Sequence, residues 1–486
     1  MRAVEERAFA DGIAAEALME EAGARISAAV RQFFPEPGRC MAYFGKGHNG
    51  GDALVAARHL AAAGWNIALP ITFPEGAWIE LTTKKYRELH EVDFSGSEGA
   101  RSGAPLVVLD GLLGIGAGGA LREPIKRQAR TINALRQASR AWVFAIDLPT
   151  GLDGDTGAAD PDAVVADVTL TIGCTKIGLL ADAATHFVGR LAVLPLLELT
   201  KRLPSGGAVT VATPESLAGL WRRRSFDLHK GDCGRVGIVA GAPGTAGAAV
   251  MCAEAALHAG AGLVTLYVPA AIHGAVVARI APEIMVRAIA SPLDVLDARH
   301  DVLAVGPGVG RERDEAFFEM MSRASVPMVI DADALNVLAA NRDKPWTFSG
   351  PRLLTPHPGE MERLAPGSTH GQRAPVAENF VAQHRVTLLL KGSRTIVAER
   401  GCPLSYNTTG TPGMATGGMG DVLTGVCAAL AGQGLSLYDT ARLGAWFCGR
   451  AAELAILGGE SEESLSATHV INHLGAAFRE LRAGGY

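Results

Sequence analysis

The chain has 486 residues, more than one hydrophobic core usually serves, so two domains are expected. Hydrophobic residues make up 48% and charged residues 20%, which excludes an extensively disordered chain. The 45 basic and 50 acidic residues leave a net charge of −5, which argues against nucleic acid as a partner.

Residues 3–33 carry Val4, Ile13, Leu18, Ile26, Val30 and Phe33 at helical spacing, so one or two N-terminal helices are expected. The opening stretch, MRAVEERAFADG, is too acidic for a signal or transit peptide. Residues 41–44 then read as a strand followed by a glycine-rich turn. A helix from Asp52 to Leu60 stops at Gly64, a residue suited to a left-handed C-terminal cap. Apolar runs at 67–73, 106–109, 142–146, 168–172 and 191–194 fit buried parallel strands alternating with helices.

Between 199 and 214 the periodicity lapses, which sets the expected domains at 1–205 and 215–486. The basic run Arg222-Arg223-Arg224 beside this boundary reads as a solvated face. A second series of runs follows at 236–240, 263–268, 302–305, 328–330, 352–354 and 387–390. Both halves read as open α/β sheets, in which ligands bind beyond the carboxyl ends of the strands. The most apolar stretch, 246–271, is broken by Glu254, His258 and Pro269, and no run approaches the ~20 residues that cross a bilayer. No membrane partner is expected. The seven cysteines show no CxxC pairing; they read as reduced thiols of a cytoplasmic protein and weigh against a zinc site.

The loops after these strands carry the chemistry. Gly45-Lys46-Gly47-His48-Asn49-Gly50 fits G-x-G-x-x-G between a strand and a helix, with Glu75 beyond the next strand, a dinucleotide-like pattern. Gly114 to Gly119 contains the same pattern, and with 59 glycines in the chain the match alone has little weight. No Walker A motif occurs. Asp52, Asp110 and Asp147 each sit at a strand end, where aspartate also serves as a helix cap or turn residue. Three strand ends converging with Asn49 and Thr150 would make an oxygen-rich site suited to a hard cation, with Asp147 able to move a proton.

The segments GHNGGD (47–52), LDGLLGIG (109–116), AIDLPTGLDGDTG (145–157) and LMEEAG (18–23) resemble the N-terminal domain of the bifunctional NAD(P)H-hydrate repair enzymes. The resemblance implies a Rossmann-like three-layer epimerase domain. It implies that potassium is held by Asn49, Asp110 and Thr150, and that Asp147 is the catalytic proton shuttle. The hydrated cofactor would lie against His48, Asn49, Gly50, Gly51, Asp52 and Asp147, and against Gly114, Ile115, Gly116, Ala117, Gly118, Gly119 and Ala120. His48, Ala53 and Glu21 depart from the family's usual Asn, Gly and Asn, which bears on fine specificity.

In the second half, TGGMGD (416–421) precedes an apolar helical run at 422–430. Its glycines let backbone N–H groups converge at a helix N-terminus, an anion site. An aspartate inside that site suits a general base beside a phosphoryl group; the plainer role for Asp421 is helix N-cap. Loops at 229–234, 244–248, 306–310, 331–336, 355–360 and 391–395 accompany it. Lys391 ends a strand and would meet a phosphate as a point charge; His357, between Pro356 and Pro358, reads as a binding residue or an exposed turn. His229 has no stronger claim than a surface role.

Together these loops resemble the dehydratase domain of the same family, which has a ribokinase-like α/β fold. By that resemblance Lys391, Gly392, Ser393, Arg394, Thr395 and Gly420 contact an adenine nucleotide. Ala248, Gly308, Gly310, His357 and Asp421 contact the hydrate, with Asp421 catalytic and Mg²⁺ assisting. ADP rather than ATP is expected from the fused arrangement. The implied function is repair of hydrated nicotinamide cofactors, by epimerisation and then ADP-coupled dehydration, in a cytoplasmic homo-oligomer whose small-molecule partners are NAD(P)H hydrates and ADP. Two other readings are a ribokinase-like small-molecule kinase with a regulatory first domain, and a first domain that binds without catalysis.

Overall fold

The computed structural model describes residues 1–91, 104–116, 118–203, 206–221, 223–310, 314–370 and 372–483. The chain divides into two compact units, Met1–Ser205 and Gly206–Tyr486.

The first unit is built on six parallel strands: β1 (Arg39–Phe44), β2 (Asn66–Ala68), β3 (Leu106–Gly111), β4 (Trp142–Ile146), β5 (Val168–Ile172) and β6 (Arg190–Leu194), in the order β2-β1-β3-β4-β5-β6. Alternate side chains leave a strand on opposite faces, and both faces here are apolar. Ala42, Phe44, Leu109, Phe144 and Ile146 pack with the helices Arg2–Ala10, Ala15–Phe33 and His48–Ala62. Tyr43, Val108, Val143 and Ala145 pack on the other face with Ile125, Ala129 and Ile132 of the helix Ile125–Ser139. The result is three layers, helix on sheet on helix. Each fully buried Leu, Ile or Phe in such a core contributes roughly 1.5–3 kcal/mol. Progress across the sheet reverses between β1 and β3, so their carboxyl ends flank a crevice.

The second unit has a ten-stranded sheet: β7 (Val209–Val211), β8 (Arg235–Val239), β9 (Leu263–Pro269), β10 (Met285–Ile289), β11 (Val302–Val305), β12 (Met328–Ile330), β13 (Arg352–Leu354), β14 (Thr387–Leu390), β15 (Thr395–Ala398) and β16 (Leu404–Asn407). Their order is β10-β9-β8-β11-β12-β13-β14-β15-β16-β7. β15 runs antiparallel to both its neighbours, and the other pairs are parallel. Here the order reverses between β8 and β11. The helices Ala246–His258, Met419–Gly432, Leu437–Leu457 and Ala467–Arg482 share one apolar cluster with this sheet.

Several expectations need correction. The helix after β1 begins at His48, four residues before Asp52, because the glycines at 50 and 51 are absorbed into it. β2 stops at Ala68 instead of continuing to Phe73. The stretch expected to link the domains contains β7, whose register with β16 pairs Thr210 with Ser405. β7, β10, β15 and β16 went unread because they are three to five residues long and lack a long apolar run. β10 and β7 are also the sheet's outermost strands, with partly exposed side chains. Gly64 does take the left-handed conformation expected of it, with φ +89°. All seven cysteines are free thiols. Arg222 lies outside the described residues; Arg224 donates to the Gly260 carbonyl.

Candidate active sites

In the first unit, β1 turns through Gly45 into the helix His48–Ala62, capped at its N-terminus by Gly47. A Cβ on Gly45 would lie 1.9 Å from the Leu112 carbonyl oxygen, and one on Gly50 would lie 2.2 Å from that of Gly45. These two glycines therefore let the turn close against the exit of β3. At Gly47, Gly116, Gly118 and Gly119 an added Cβ would meet no described residue within 4 Å, so among the described residues this side of the crevice is open. Ala117 lies outside the described residues.

Asp110, expected just beyond a strand, is the next-to-last residue of β3, which runs on to Gly111, and it is completely buried. Its Oδ2 accepts from Thr150 N at 2.8 Å and its Oδ1 from Thr150 Oγ1 at 2.7 Å. Asn49 donates to the carbonyls of Leu113 at 2.9 Å and Ile146 at 3.1 Å, and Leu113 N donates to Thr150 Oγ1 at 3.2 Å. The three oxygen-bearing residues are thus knitted into one site. Burial pushes the Asp110 carboxyl up to about 6, against the hydrogen bonds from Thr150 and Leu112, and no lysine or arginine among the described residues pairs with it. A buried carboxylate lacking a cation fits a bound monovalent ion. A second group of acids, Glu16, Glu20 and Glu88, converges instead on buried Lys85 at 2.5, 2.7 and 3.0 Å, where the ammonium already supplies the positive charge.

Asp147 follows β4 with φ 68°, a left-handed conformation that few non-glycine residues adopt. Its Oδ1 accepts from Ile172 N at 3.1 Å and from the ammonium of Lys176. Burial and the charge of Asp147 raise the carboxyl of Glu5, on the helix Arg2–Ala10, above the ordinary range. The same two causes, with Glu5 added, push Asp52 well above its usual value. The exposed His48 lowers Glu5 slightly, which places it at the same rim. Glu75 does not serve as a ribose carboxylate by its position: it sits past the end of β2 and pairs with Arg87 at 2.9 Å.

In the second unit the carboxyl ends of β8, β11, β12, β13 and β14 supply one loop each. The Gly308 carbonyl accepts from Thr245 Oγ1 at 2.6 Å, and a Cβ on Gly308 would lie 3.2 Å from that of Ala248. Gly310 N donates to Asp333 at 3.0 Å. Asp331, only 1% exposed, accepts from Lys391 Nζ at 2.7 Å and from Thr424 Oγ1 at 2.8 Å. A Cβ on Gly420 would stand 3.4 Å from both Asp331 Oδ2 and Lys391 Nζ, so the glycine-rich turn lies against this pair. Burial pulls the Lys391 ammonium down, but Asp331 and Glu360 outweigh it and hold it above the ordinary lysine value.

Gly418, not Asp421, is the N-cap of the helix Met419–Gly432, and no side chain caps that end. Asp421 is the helix's third residue, leaving the first-turn N–H groups open to an anion. Burial, then Asp331, pushes its carboxyl up to about 6, against the pull of Lys391. His357 caps the helix Pro358–Leu364: its Nδ1 accepts from Gly359 N at 3.0 Å and Glu360 N at 3.3 Å. The ring is half exposed, and its Nε2 lies 3.5 Å from Glu360 Oε1. Lys391 to Thr395 form the turn between β14 and β15, where Thr395 Oγ1 donates to the Gly392 carbonyl. The side chain of Arg394 is buried, so at that position the turn offers a ligand its backbone. His229 is exposed and stabilises its own turn by accepting from Gly231 N.

Apart from Glu75 and His229, the sequence-derived residues that the structure describes gather into two constellations, one per unit. Lys176, Glu5 and Thr424 escaped the sequence reading. Lys176 had one local signal, its place in a glycine-flanked turn after β5. Glu5 and Thr424 looked like ordinary helix residues.

Comparison with known proteins agrees with this geometry. The family model described as NAD(P)H-hydrate dehydratase matches residues 236–474, and that described as YjeF-related protein N-terminus matches residues 15–178. The chain is 38% identical over 475 residues to the bifunctional NAD(P)H-hydrate repair enzyme of Moorella thermoacetica, across 90% of this chain and 88% of the other. Its identity to the Escherichia coli K12 protein of the same name is 34% over 466 residues, across 92% and 87%. Among solved structures, ADP/ATP-dependent NAD(P)H-hydrate dehydratase from Bacillus subtilis, co-crystallized with ATP/Mg²⁺, superposes with a TM-score of 0.50 at 26% identity, covering 56% of this chain and 99% of its own. A ribokinase-like superfamily protein from Enterococcus faecalis gives 0.51 at 24% identity, covering 57% and 98%, a likeness of fold.

Proposed function

The chain belongs to the bifunctional NAD(P)H-hydrate repair enzymes, and from this we propose how its two units divide the work. The first, residues 1–205, interconverts the R and S hydrates of NADH and NADPH. The second, residues 215–486 together with β7, removes water from the S form to regenerate the reduced cofactor.

The observation that carries the second assignment is Asp421, in the first turn of an uncapped helix beside the Lys391–Asp331 pair. A carboxyl raised to about 6 is a serviceable base near neutral pH. It takes the proton of the C6 hydroxyl as that oxygen attacks the β-phosphorus of ADP. AMP leaves, and the C6–O bond then breaks to release phosphate while C5 gives up a proton. The hydrate's oxygen ends in the phosphate, and the ring recovers its double bond. N–H groups at Met419 and Gly420 stabilise charge on the transferred phosphoryl group. Mg²⁺, when bound with the nucleotide, supplies charge neutralisation and needs few protein ligands of its own.

In the first unit Asn49, Asp110 and Thr150 would hold potassium, which supplies positive charge to the buried Asp110. Asp147 moves the proton: the C6 hydroxyl leaves as water once protonated, the ring nitrogen's lone pair relieves the cation, and water re-adds on the other face as its proton returns. The loop from Gly114 to Ala120 and the helix start from His48 to Asp52 support the cofactor on the open side of the crevice.

ADP as co-substrate, a cytoplasmic location and self-association complete the reading. Seven free thiols support a reducing compartment, and no described helix is long and apolar enough to cross a membrane. The test is incubation with a hydrated-cofactor mixture and ADP. Recovery of reduced-nicotinamide absorbance with stoichiometric AMP is expected. Phosphorylation of a vitamin or sugar alcohol, with the hydrate untouched, would instead establish a kinase.

A further inference from the structure

We propose that Lys176 is a positioning residue for the first unit's reaction, fixing Asp147 so that one carboxylate oxygen, Oδ2, is the one that exchanges the proton. The inference rests on the epimerase reading of this unit.

β5 ends at Ile172, and Gly173, with φ 73°, turns the chain so that Lys176 comes back beneath the end of its own strand. Its side chain is 7% exposed. An ammonium has three protons to place, and here three acceptors meet it. They are Thr171 Oγ1 at 3.1 Å, the Ile172 carbonyl at 3.0 Å and Oδ1 of Asp147. The lysine is therefore saturated and cannot swing toward a ligand without abandoning a bond. It acts through the group it holds.

Both donors to Asp147, Lys176 Nζ and Ile172 N, converge on Oδ1. Oδ2 accepts no hydrogen bond among the described residues. The backbone of Asp147 is anchored as well, its N–H donating to the Leu170 carbonyl at 2.9 Å while φ stays at 68°. An ion pair serving stability alone has no need of a left-handed aspartate, and it gains most when both carboxylate oxygens are bonded. This pair instead holds one oxygen fast and leaves the other at a side chain that is 11% exposed, beside the open loops of the crevice. Glu5 and Asp52 are the acidic groups that sense this carboxylate, and His48 stands at the rim. No second basic side chain is bonded to Asp147 among the described residues.

The experiment follows R–S exchange of the hydrate by chiral chromatography, with thermal unfolding as the check on folding. Lys176→Met is expected to lower kcat at least tenfold with KM changed less than twofold. Added to Asp147→Asn it should cause no further loss, because the lysine acts through the aspartate. Thr171→Val removes one anchor but keeps the ion pair, and should lower kcat two- to threefold; it decides the matter if Lys176→Met does not fold. An unchanged kcat in whichever of these variants folds, or a Lys176→Met loss that multiplies that of Asp147→Asn, would overturn the proposal. Absence of exchange in the wild-type protein would remove the epimerase reading and this inference with it, whereas wild-type exchange indifferent to Lys176 removes the inference alone.

Discussion

The ammonium of Lys391 donates to Oδ1 of Asp331 at 2.7 Å, inside a site where Asp331 is 1% exposed. A lysine expected to await a phosphate is thus already half of a buried pair, with Glu360 3.8 Å away as a second acid. Removing the amine by Lys391→Met would leave Asp331 buried with only the Thr424 hydroxyl. Loss of one partner from such a pair typically costs about 3 kcal/mol. Urea denaturation without ligand should show that loss alongside weaker nucleotide binding. Unchanged ligand-free stability would mean that the lysine serves the phosphate alone.

Asp421 ties stability to pH in the opposite sense from a paired surface carboxylate. Its folded carboxyl takes up a proton near pH 6, whereas the ordinary aspartate value is 3.8. The folded state therefore binds that proton more tightly, and the penalty on the ionised form builds as pH rises from about 4 to about 6 and is complete above that. By linkage the penalty at pH 7.5 is roughly 2 kcal/mol, and it fades as pH falls toward 4. Asp421→Asn should raise the melting temperature at pH 7.5, with the gain vanishing near pH 4. Dehydration should slow by about 100-fold or more. Near-normal dehydration would dismiss Asp421 as the base.

The two ends of the first glycine turn should respond differently to the same methyl group. Gly45→Ala puts a carbon 1.9 Å from the Leu112 carbonyl oxygen and forces the turn off β3. We expect a loss of about 3 kcal/mol or more, visible as early unfolding of the first unit. Gly47→Ala meets open space and should change stability by less than about 1 kcal/mol. If this rim receives the hydrate, Gly47→Ala will raise KM for exchange at constant kcat. An equal stability loss in both variants would contradict the packing described for this turn.

Potassium should stabilise the protein through Asp110. Ligand binding to the folded state raises the melting temperature in proportion to the logarithm of ligand concentration. Potassium chloride should therefore raise the unfolding temperature of the wild type more than choline chloride at equal ionic strength. Asp110→Asn, which removes the buried charge, should abolish the difference. A salt response identical in the two proteins would show that Asn49, Asp110 and Thr150 do not hold the ion.

The α/β architecture, the two-unit organisation and the main acids were legible in the residues because each is written locally. A buried parallel strand is a short apolar run, and β4, β5, β11, β12, β13 and β14 coincide with such runs residue for residue. The residues at or just beyond the carboxyl end of such a strand border the crevice, which is why Asp110, Asp147 and the loop at 391–395 stood out. Family motifs then joined these points into a function.

What no local pattern carries is which side chains meet. Lys176 and Asp147 lie on different loops, as do Lys391 and Asp331; the first pairing depends on the neighbouring strands β4 and β5 coming into register, the second on β12 and β14 being aligned across β13. Glu5 reaches the first site only because its helix packs back on the sheet through Val4 and Ala8. Whether a glycine is needed for close packing, as at Gly45, or lies open, as at Gly47, is likewise set by the opposing chain. The sequence by itself determined the fold class, the strand-end acids and the family. Only the tertiary structure decided which oxygen of Asp147 is held, which acid Lys391 already serves and how far burial shifts Asp110 and Asp421, because hydrogen bonding and desolvation depend on distances between residues far apart in the chain.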